Sequence, residues 1–277
     1  MAPLLFDAFY QNTSFSFQLS SYIHPMNKTV FITGATSGFG KACAQRFAKE
    51  GCRVIINGRR GERLQQLKEE LQSQFNAQVH ILVFDVRNKE EVYNSINALT
   101  QEWQQIDVLI NNAGLAAGRD LFDEASLDDW ETMIDTNVKG LLYVSRAVLP
   151  FMTSRKNGHI INIGSTAAKE VYERGNVYCA SKAAVDSITK AMRMDLLQHK
   201  IKVTAIHPGA AETEFSMVRF KGDQAKADAV YAGYTPLYAE DVAEVVYYTT
   251  TLPDHVCIND LVLTCTAQAN SFYTYKG

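Results

Sequence analysis

The sequence predicts an α/β fold, a doubly wound parallel sheet of about seven strands with helices on both faces. Three observations predict it. From Met26 onward, short β-branched runs alternate with longer amphipathic stretches, the signature of repeated βαβ units. Most of those runs are apolar on both faces, as strands sandwiched between two helix layers must be. A glycine-rich turn separates the first run from the first helical stretch, and strand-to-helix turns of this kind hold ligands in doubly wound folds.

In chain order, the expected strands are 30–33, 54–57, 79–84, 108–111, 159–163, 203–206 and 261–264. Between them, apolar residues recur at helical spacing, as do Phe39, Cys43 and Phe47, and later Ala180, Ala184 and Ile188; such stripes are packing faces. No fixed-period repeat, low-complexity tract or Pro/Gly-rich linker divides the chain, so residues 28–277 read as a single Rossmann-type domain. Residues 1–27 read as an appended tail, flexible or non-essential, with Met26 as a candidate start. The polar, helix-prone segment 215–236 lies between two strands and reads as an excursion that covers a site.

Composition narrows the classes of function. The chain has 277 residues, with 27 basic and 30 acidic ones spread along it for a formal charge of -3, so no nucleic-acid partner is expected. Five cysteines include no CxxC pair, which suits reduced thiols in the cytoplasm. The first basic residue is Lys28, so the start lacks the positive region of a secretory signal. No stretch offers the roughly 18 uninterrupted apolar residues of a membrane span. The six histidines show no HExxH or other ligand spacing, and no metal is expected. Ser165 lies in GSTAA, not in the GxSxG elbow of a hydrolase.

The turn at 33–40 reads TGATSGFG. A pyrophosphate needs a tight turn, close backbone approach and helix N-terminal N–H groups, and glycines here permit all three. Taken alone, such a cluster also reads as an ordinary strand-to-helix turn. About 20 residues further on, NAD sites usually carry an acid for the ribose hydroxyls. Here the segment is Asn57, Gly58, Arg59 and Arg60. A guanidinium fork binds a 2′-phosphate well, so NADP(H) is the expected cofactor, although the two arginines could also be solvated loop charges.

Further segments follow in order: NNAG at 111–114, Ser165 after the fifth strand, YCASK at 178–182, and Pro208 with Gly209 after the sixth strand. Together with the glycine turn, these resemble the TGxxxGxG, NNAG, Ser, YxxxK and PGxxxT elements of the short-chain dehydrogenase/reductase family, over about residues 28–265. The segments DTNVKG (135–140), GHIINIGST (158–166), TEFS (213–216) and VRFKG (218–222) look like those of its NADP-dependent 3-hydroxy acid dehydrogenases. That branch also oxidises serine or allo-threonine and reduces malonic semialdehyde.

The resemblance implies that Gly34, Thr36, Ser37, Gly38, Phe39 and Gly40 cradle the pyrophosphate, and that Asp85 and Val86 hold the adenine. Asn112, Ala113 and Gly114 would line the adenosine ribose and nicotinamide side, with Pro208, Gly209, Thr213 and Phe215 over the carboxamide. Lys182 would hold the nicotinamide ribose beside Tyr178, Ser165 the substrate oxygen, and Asn137 a water for proton relay. A homo-oligomer, dimer or tetramer, is expected by the same analogy.

Tyr178 and Lys182 are four residues apart, on one face of a helix. The neighbouring ammonium is expected to favour the phenolate and lower the Tyr178 pKa, making Tyr178 the general base of oxidation and general acid of reduction, with Ser165 and Tyr178 both touching substrate. The expected substrate is a small 3-hydroxy acid or its 3-oxo or semialdehyde counterpart. Its carboxylate needs a cation, for which Arg219 is the first choice and Lys221 and Arg174 are the others; Arg219 also reads as a solvated lid charge. Reduction of neutral ketones and non-catalytic sensing of NADP(H) are the alternatives.

Overall fold

A computed structural model describes residues 28–277; the expected tail at 1–27 lies outside the described residues. Seven parallel strands form one sheet in the order β3-β2-β1-β4-β5-β6-β7. They are β1 (Thr29–Ile32), β2 (Arg53–Gly58), β3 (Val79–Val83), β4 (Ile106–Asn111), β5 (Gly158–Ile163), β6 (Ile201–Pro208) and β7 (Asp260–Leu263). The expected strands all form, within a few residues of their predicted bounds.

Alternation along each strand divides the core between two helix layers. Val30 and Ile32 pack on one face with α1 (Gly38–Lys49), α2 (Gly61–Phe75) and α9 (Ala239–Thr251). Phe31 points to the other face, toward α3 (Lys89–Asn97) and α5 (Leu141–Arg155), where Val92, Ile96, Val144 and Val148 meet it. The long helix α6 (Asn176–Asp195) closes that side beside β6. Local chemistry sets the helix ends: the Asn88 side chain accepts the N–H groups of Glu90 and Glu91 at the start of α3, which satisfies donors that have no partner inside the helix.

Two features depart from a plain alternation of strands and helices. Helix α4 (Leu127–Ile134) runs into a π-helical turn, Asp135–Gly140, before α5. The 215–236 excursion is two short helices, α7 (Glu214–Arg219) and α8 (Gln224–Tyr231). Among the described residues, no helix is long and apolar enough to cross a membrane.

Candidate active site

A cleft of about 1420 Å³ opens where the chain leaves the carboxyl ends of the strands. Doubly wound sheets place ligands there, near the strand at which the winding reverses, and β1 is that strand in this order. Gly34 and Gly38 have φ of +66° and +51°, left-handed values that favour glycine. A Cβ on Gly40 would lie 2.3 Å from the Gly34 carbonyl oxygen, so only glycine lets α1 start this close to the turn. Asn112 clamps the turn from β4, its Nδ2 donating to the carbonyls of Thr33 (2.8 Å) and Gly34 (3.1 Å).

The start of α1 is electrostatically open. Ser37, its N-cap, makes no side-chain capping bond, and its first turn carries no acid. Its N–H groups and the positive end of the helix dipole therefore stay free for an anion. Gly58 ends β2 with no space for a side chain, since a Cβ there would be 2.7 Å from Thr36 Cγ2. Arg60 Nη2 donates to Thr36 Oγ1 at 2.7 Å, and Arg59 stands 3.8 Å from Asp85. Burial works to raise the Asp85 carboxyl, but hydrogen bonds from Arg87 and the charge of Arg59 hold it below the ordinary range. A glycine cradle, an uncapped helix start and two arginines in place of an acid fit a dinucleotide that carries an extra phosphate.

Deeper in the cleft, Tyr178 and Lys182 project from the first half of α6, both almost fully buried. The hydroxyl of Ser165, just after β5, lies beside Tyr178 and accepts the N–H of Ala167 at 3.1 Å. Phe215 from α7 covers the Tyr178 ring at 5.6 Å, and Thr213 caps that helix by accepting the Phe215 N–H. Contrary to the sequence expectation, the Tyr178 phenol lies above its ordinary pKa. Burial is the main cause and Tyr172 adds to it, while Ser165 and the Arg219 guanidinium pull downward without prevailing. The Lys182 ammonium points to the Ile163 carbonyl at 2.9 Å, and burial brings it down to about 8.

Arg219, at the end of α7, hangs over this region with its guanidinium carbon 5.6 Å from the ring centres of both Tyr172 and Tyr178. Its Nη1 donates to the Tyr172 hydroxyl at 3.1 Å, whereas Nε and Nη2 are buried with no hydrogen-bond partner. Two buried donors of a permanent cation left unmatched are costly unless an acceptor meets them, and an anion matches their charge as well. Of the other candidate cations, Lys221 is engaged by Asp129 at 2.8 Å, and Arg174 lies on the cleft wall with Glu173 3.9 Å away.

Most residues expected at the site line this one cleft, including Val86, Ala113, Gly114, Pro208 and Gly209. Gly40 and Asn137 stand behind its wall. Asn137 sits in the π-helical turn, only 2% exposed, and its side chain exchanges hydrogen bonds with both backbone groups of Leu115 and donates to Ser181. A Cβ on Gly114 would touch Asn137 Oδ1 and Lys182 Nζ, so Asn137 buttresses the floor beneath Lys182. Sequence reasoning missed Tyr172, the partner of Arg219, and missed the C-terminal segment, where Gln268 accepts the Ala210 N–H and Phe272 and Lys276 complete one wall. An aromatic six residues before the tyrosine was a readable signal for the first; the second carries no motif.

Among the described residues, one group of potential metal ligands converges outside the cleft, Asp186, His207 and Asp260. Its two carboxylates are bridged by the ammonium of Lys169, at 3.1 and 2.7 Å.

Comparison with known proteins gives this arrangement a lineage. The NADP-dependent 3-hydroxy acid dehydrogenase YdfG of Escherichia coli K12 is 51% identical over 233 residues, 84% of this chain and 92% of that protein. Sulfoacetaldehyde reductase 2 of Chromohalobacter salexigens is 48% identical over 249 residues, 90% of this chain and 98% of the relative. Among solved structures, the closed form of a serine dehydrogenase complexed with NADP+ superposes with a TM-score of 0.85 at 48% identity, covering 90% of this chain and 99% of that one. The family profile for short chain dehydrogenases matches residues 28–224. With the glycine turn, the buried tyrosine and lysine, and these relatives all in agreement, the chain belongs to the short chain dehydrogenase family.

Proposed function

We propose that this protein interconverts a small 3-hydroxy acid, of the serine, allo-threonine and 3-hydroxypropionate class, with its 3-oxo or semialdehyde counterpart, using Tyr178 as the general acid and base. The chain is an oxidoreductase acting on CH–OH groups, and NADP(H) is its cofactor, as its relatives indicate. The bound nicotinamide supplies the hydride chemistry. The observation that carries the substrate class is the pair of buried, unmatched Arg219 nitrogens beside Tyr178. A guanidinium 5.6 Å from the reacting tyrosine suits a molecule whose anionic group lies a few bonds from its carbinol carbon.

The residues divide the work. Ser165 and Tyr178 hold the substrate oxygen, with Tyr178 taking the proton in oxidation and returning it in reduction. Because burial keeps the phenol protonated, the resting site is set to donate. Lys182 holds the nicotinamide ribose, and Asn137 positions the water through which the proton leaves. Arg219 orients the carboxylate and, through its charge, opposes the effect of burial on Tyr178. Arg59 and Arg60 hold the 2′-phosphate.

A sulfonate satisfies the same fork, and sulfoacetaldehyde carries its anion one methylene from the carbonyl, as malonic semialdehyde does. Similarity to a sulfoacetaldehyde reductase favours that second reading. By the family analogy, the protein works as a homo-oligomer, a dimer or tetramer, in the cytoplasm; light scattering of the purified protein tests the first point. The central test follows absorbance at the reduced-nicotinamide band with L-serine, 3-hydroxypropionate, malonic semialdehyde, sulfoacetaldehyde and a neutral ketone. Anionic substrates should turn over best, and Tyr178→Phe should lower kcat by about 10²- to 10⁴-fold while NADPH still binds. Activity of Tyr178→Phe within a few-fold of wild type, or a preference for the neutral ketone, overturns the reading. Coenzyme binding without turnover on any substrate points to a sensor.

A further inference from the structure

The imidazole of His207 lies directly beneath the strand-end turn that carries Ser165. His207 is the next-to-last residue of β6, with no solvent exposure. Its Nδ1 is 3.3 Å from the Ser165 backbone nitrogen and 3.1 Å from the Ser165 carbonyl oxygen. Its Nε2 is buried, with carboxylate oxygens of Asp186 and Asp260 each 3.5 Å away. The ring reaches this position only because residue 164 is glycine: a Cβ there would lie 2.4 Å from Nδ1.

The surrounding charges select one protonation state. Facing the ring are Asp186 on α6, Asp260 on β7 and Lys169 after the Ser165 turn, while Lys190 binds the outer oxygen of Asp186 at 2.8 Å. Two carboxylates and two ammonium groups leave the cluster neutral around a neutral imidazole. A proton on Nε2 then lies in the field of the two carboxylates, each 3.5 Å away and outside hydrogen-bond geometry, and the Nδ1 lone pair accepts the Ser165 N–H. The opposite tautomer would aim a lone pair at both carboxylates and leave the Ser165 N–H without this acceptor. Burial first, and the Lys169 charge second, lower the His207 pKa, against the pull of Asp260 and Asp186.

We propose that His207 is a positioning residue for Ser165: favoured as the Nε2–H tautomer by the charges of Asp186 and Asp260, it accepts the Ser165 N–H and fixes where the serine hydroxyl stands beside Tyr178. The same cluster grips the turn from its other end, because Lys169 follows the 3-10 turn Thr166–Ala168 that Ser165 caps.

The inference rests on Ser165 being the substrate-binding hydroxyl, and three variants separate the two. His207→Phe keeps a ring in the pocket and removes the acceptor, while His207→Asn replaces Nδ1 with a non-titrating Oδ1 at nearly the same place. His207→Phe should lower kcat by about tenfold or more, the scale of one lost hydrogen bond, with the NADPH dissociation constant within about twofold of wild type. His207→Asn should restore most of that kcat. In wild type, the ¹⁵N shifts should identify Nδ1 as the unprotonated nitrogen at neutral pH. A normal kcat in His207→Phe, a kcat in His207→Asn as low as in His207→Phe, or a protonated Nδ1 in wild type overturns the proposal. Should Ser165→Ala keep full activity, it is the reading of Ser165 that fails; should Ser165→Ala be inactive and His207→Phe normal, only the role of His207 fails.

Discussion

Replacing Arg219 offers the sharpest test of the substrate class, because its side chain is both the proposed anion receptor and a neighbour of Tyr178. Arg219→Met keeps the apolar stem against Tyr172 and Tyr178 and leaves the backbone carbonyl that accepts the Gly118 N–H, so the turn should survive. What disappears is the fork with two buried, unmatched nitrogens. A hydrogen bond to a charged group contributes about 1.5–3 kcal/mol. Arg219 as a whole is only half-buried, which favours the lower part of that range for the pair. The expected loss in kcat/KM for L-serine or 3-hydroxypropionate is therefore about 10- to 100-fold, at about 1.4 kcal/mol per factor of ten. Neutral alcohols and ketones should fall by no more than a few-fold, reflecting the weaker opposition to burial at Tyr178. Initial rates at saturating NADP(H), with acids and neutral substrates side by side, measure the difference. Added guanidinium ion should recover part of the loss for acids alone. Equal declines for both substrate classes would show that Arg219 shapes the lid and does not read the anion.

Further outcomes follow from the coenzyme end and from the buried lysine. Arg59→Ala should raise the KM for NADP about tenfold and leave that for NAD nearly unchanged, since only NADP presents the extra phosphate; equal shifts refute the assignment. Lys182, whose folded pKa of about 8 lies below its ordinary 10.5, should make the NADPH dissociation constant flat below pH 8 and rising by up to tenfold per unit above it, as the free protein loses the ammonium. Lys182→Arg, permanently charged, should move that break out of range, and a break that stays near 8 assigns it elsewhere. The same lysine has a stability consequence of opposite sign: between about pH 8 and 10.5 the unfolded chain binds the proton that the folded chain has released, so its burial weakens the fold below pH 8 and ceases to do so as pH rises. Denaturant midpoints of wild type and Lys182→Met across that window should converge toward alkaline pH.

Much of the fold was legible because each strand announces itself twice, by β-branched residues and by its place between helical stretches. The first strand was expected at 30–33 and occupies Thr29–Ile32, and the glycine turn after it needs its glycines for reasons of φ and contact that the spacing already implied. The Tyr178 and Lys182 pair was legible as a shared helix face, but the direction of the Tyr178 shift was not. Spacing shows that an ammonium is near; it does not show that the ammonium turns to the Ile163 carbonyl or that the phenol is sealed from water. The π-helical turn was likewise hidden, since Asn137 is held by the backbone of Leu115, 22 residues away. His207 carried no motif. Its meaning arises only when β5, β6, α6 and β7 bring Ser165, Asp186 and Asp260 around it.

The strand order has a kinetic meaning as well. β1 is bonded on one side to β4, with Val30 opposite Val108, and no neighbouring pair of strands is joined by a short hairpin. Every ladder therefore closes over a long loop, a topology that folds slowly because chain entropy is lost before contacts repay it. The glycine turn, Ser165, Tyr178 and Arg219 come from segments spread between residues 34 and 219, so no early fragment assembles the site. NADP(H) then recognises the finished sheet and not its precursors. At a hundredfold excess over its dissociation constant, it stabilises that state by about 2.7 kcal/mol, so refolding yield should rise with coenzyme concentration even though the coenzyme plays no part in the first steps.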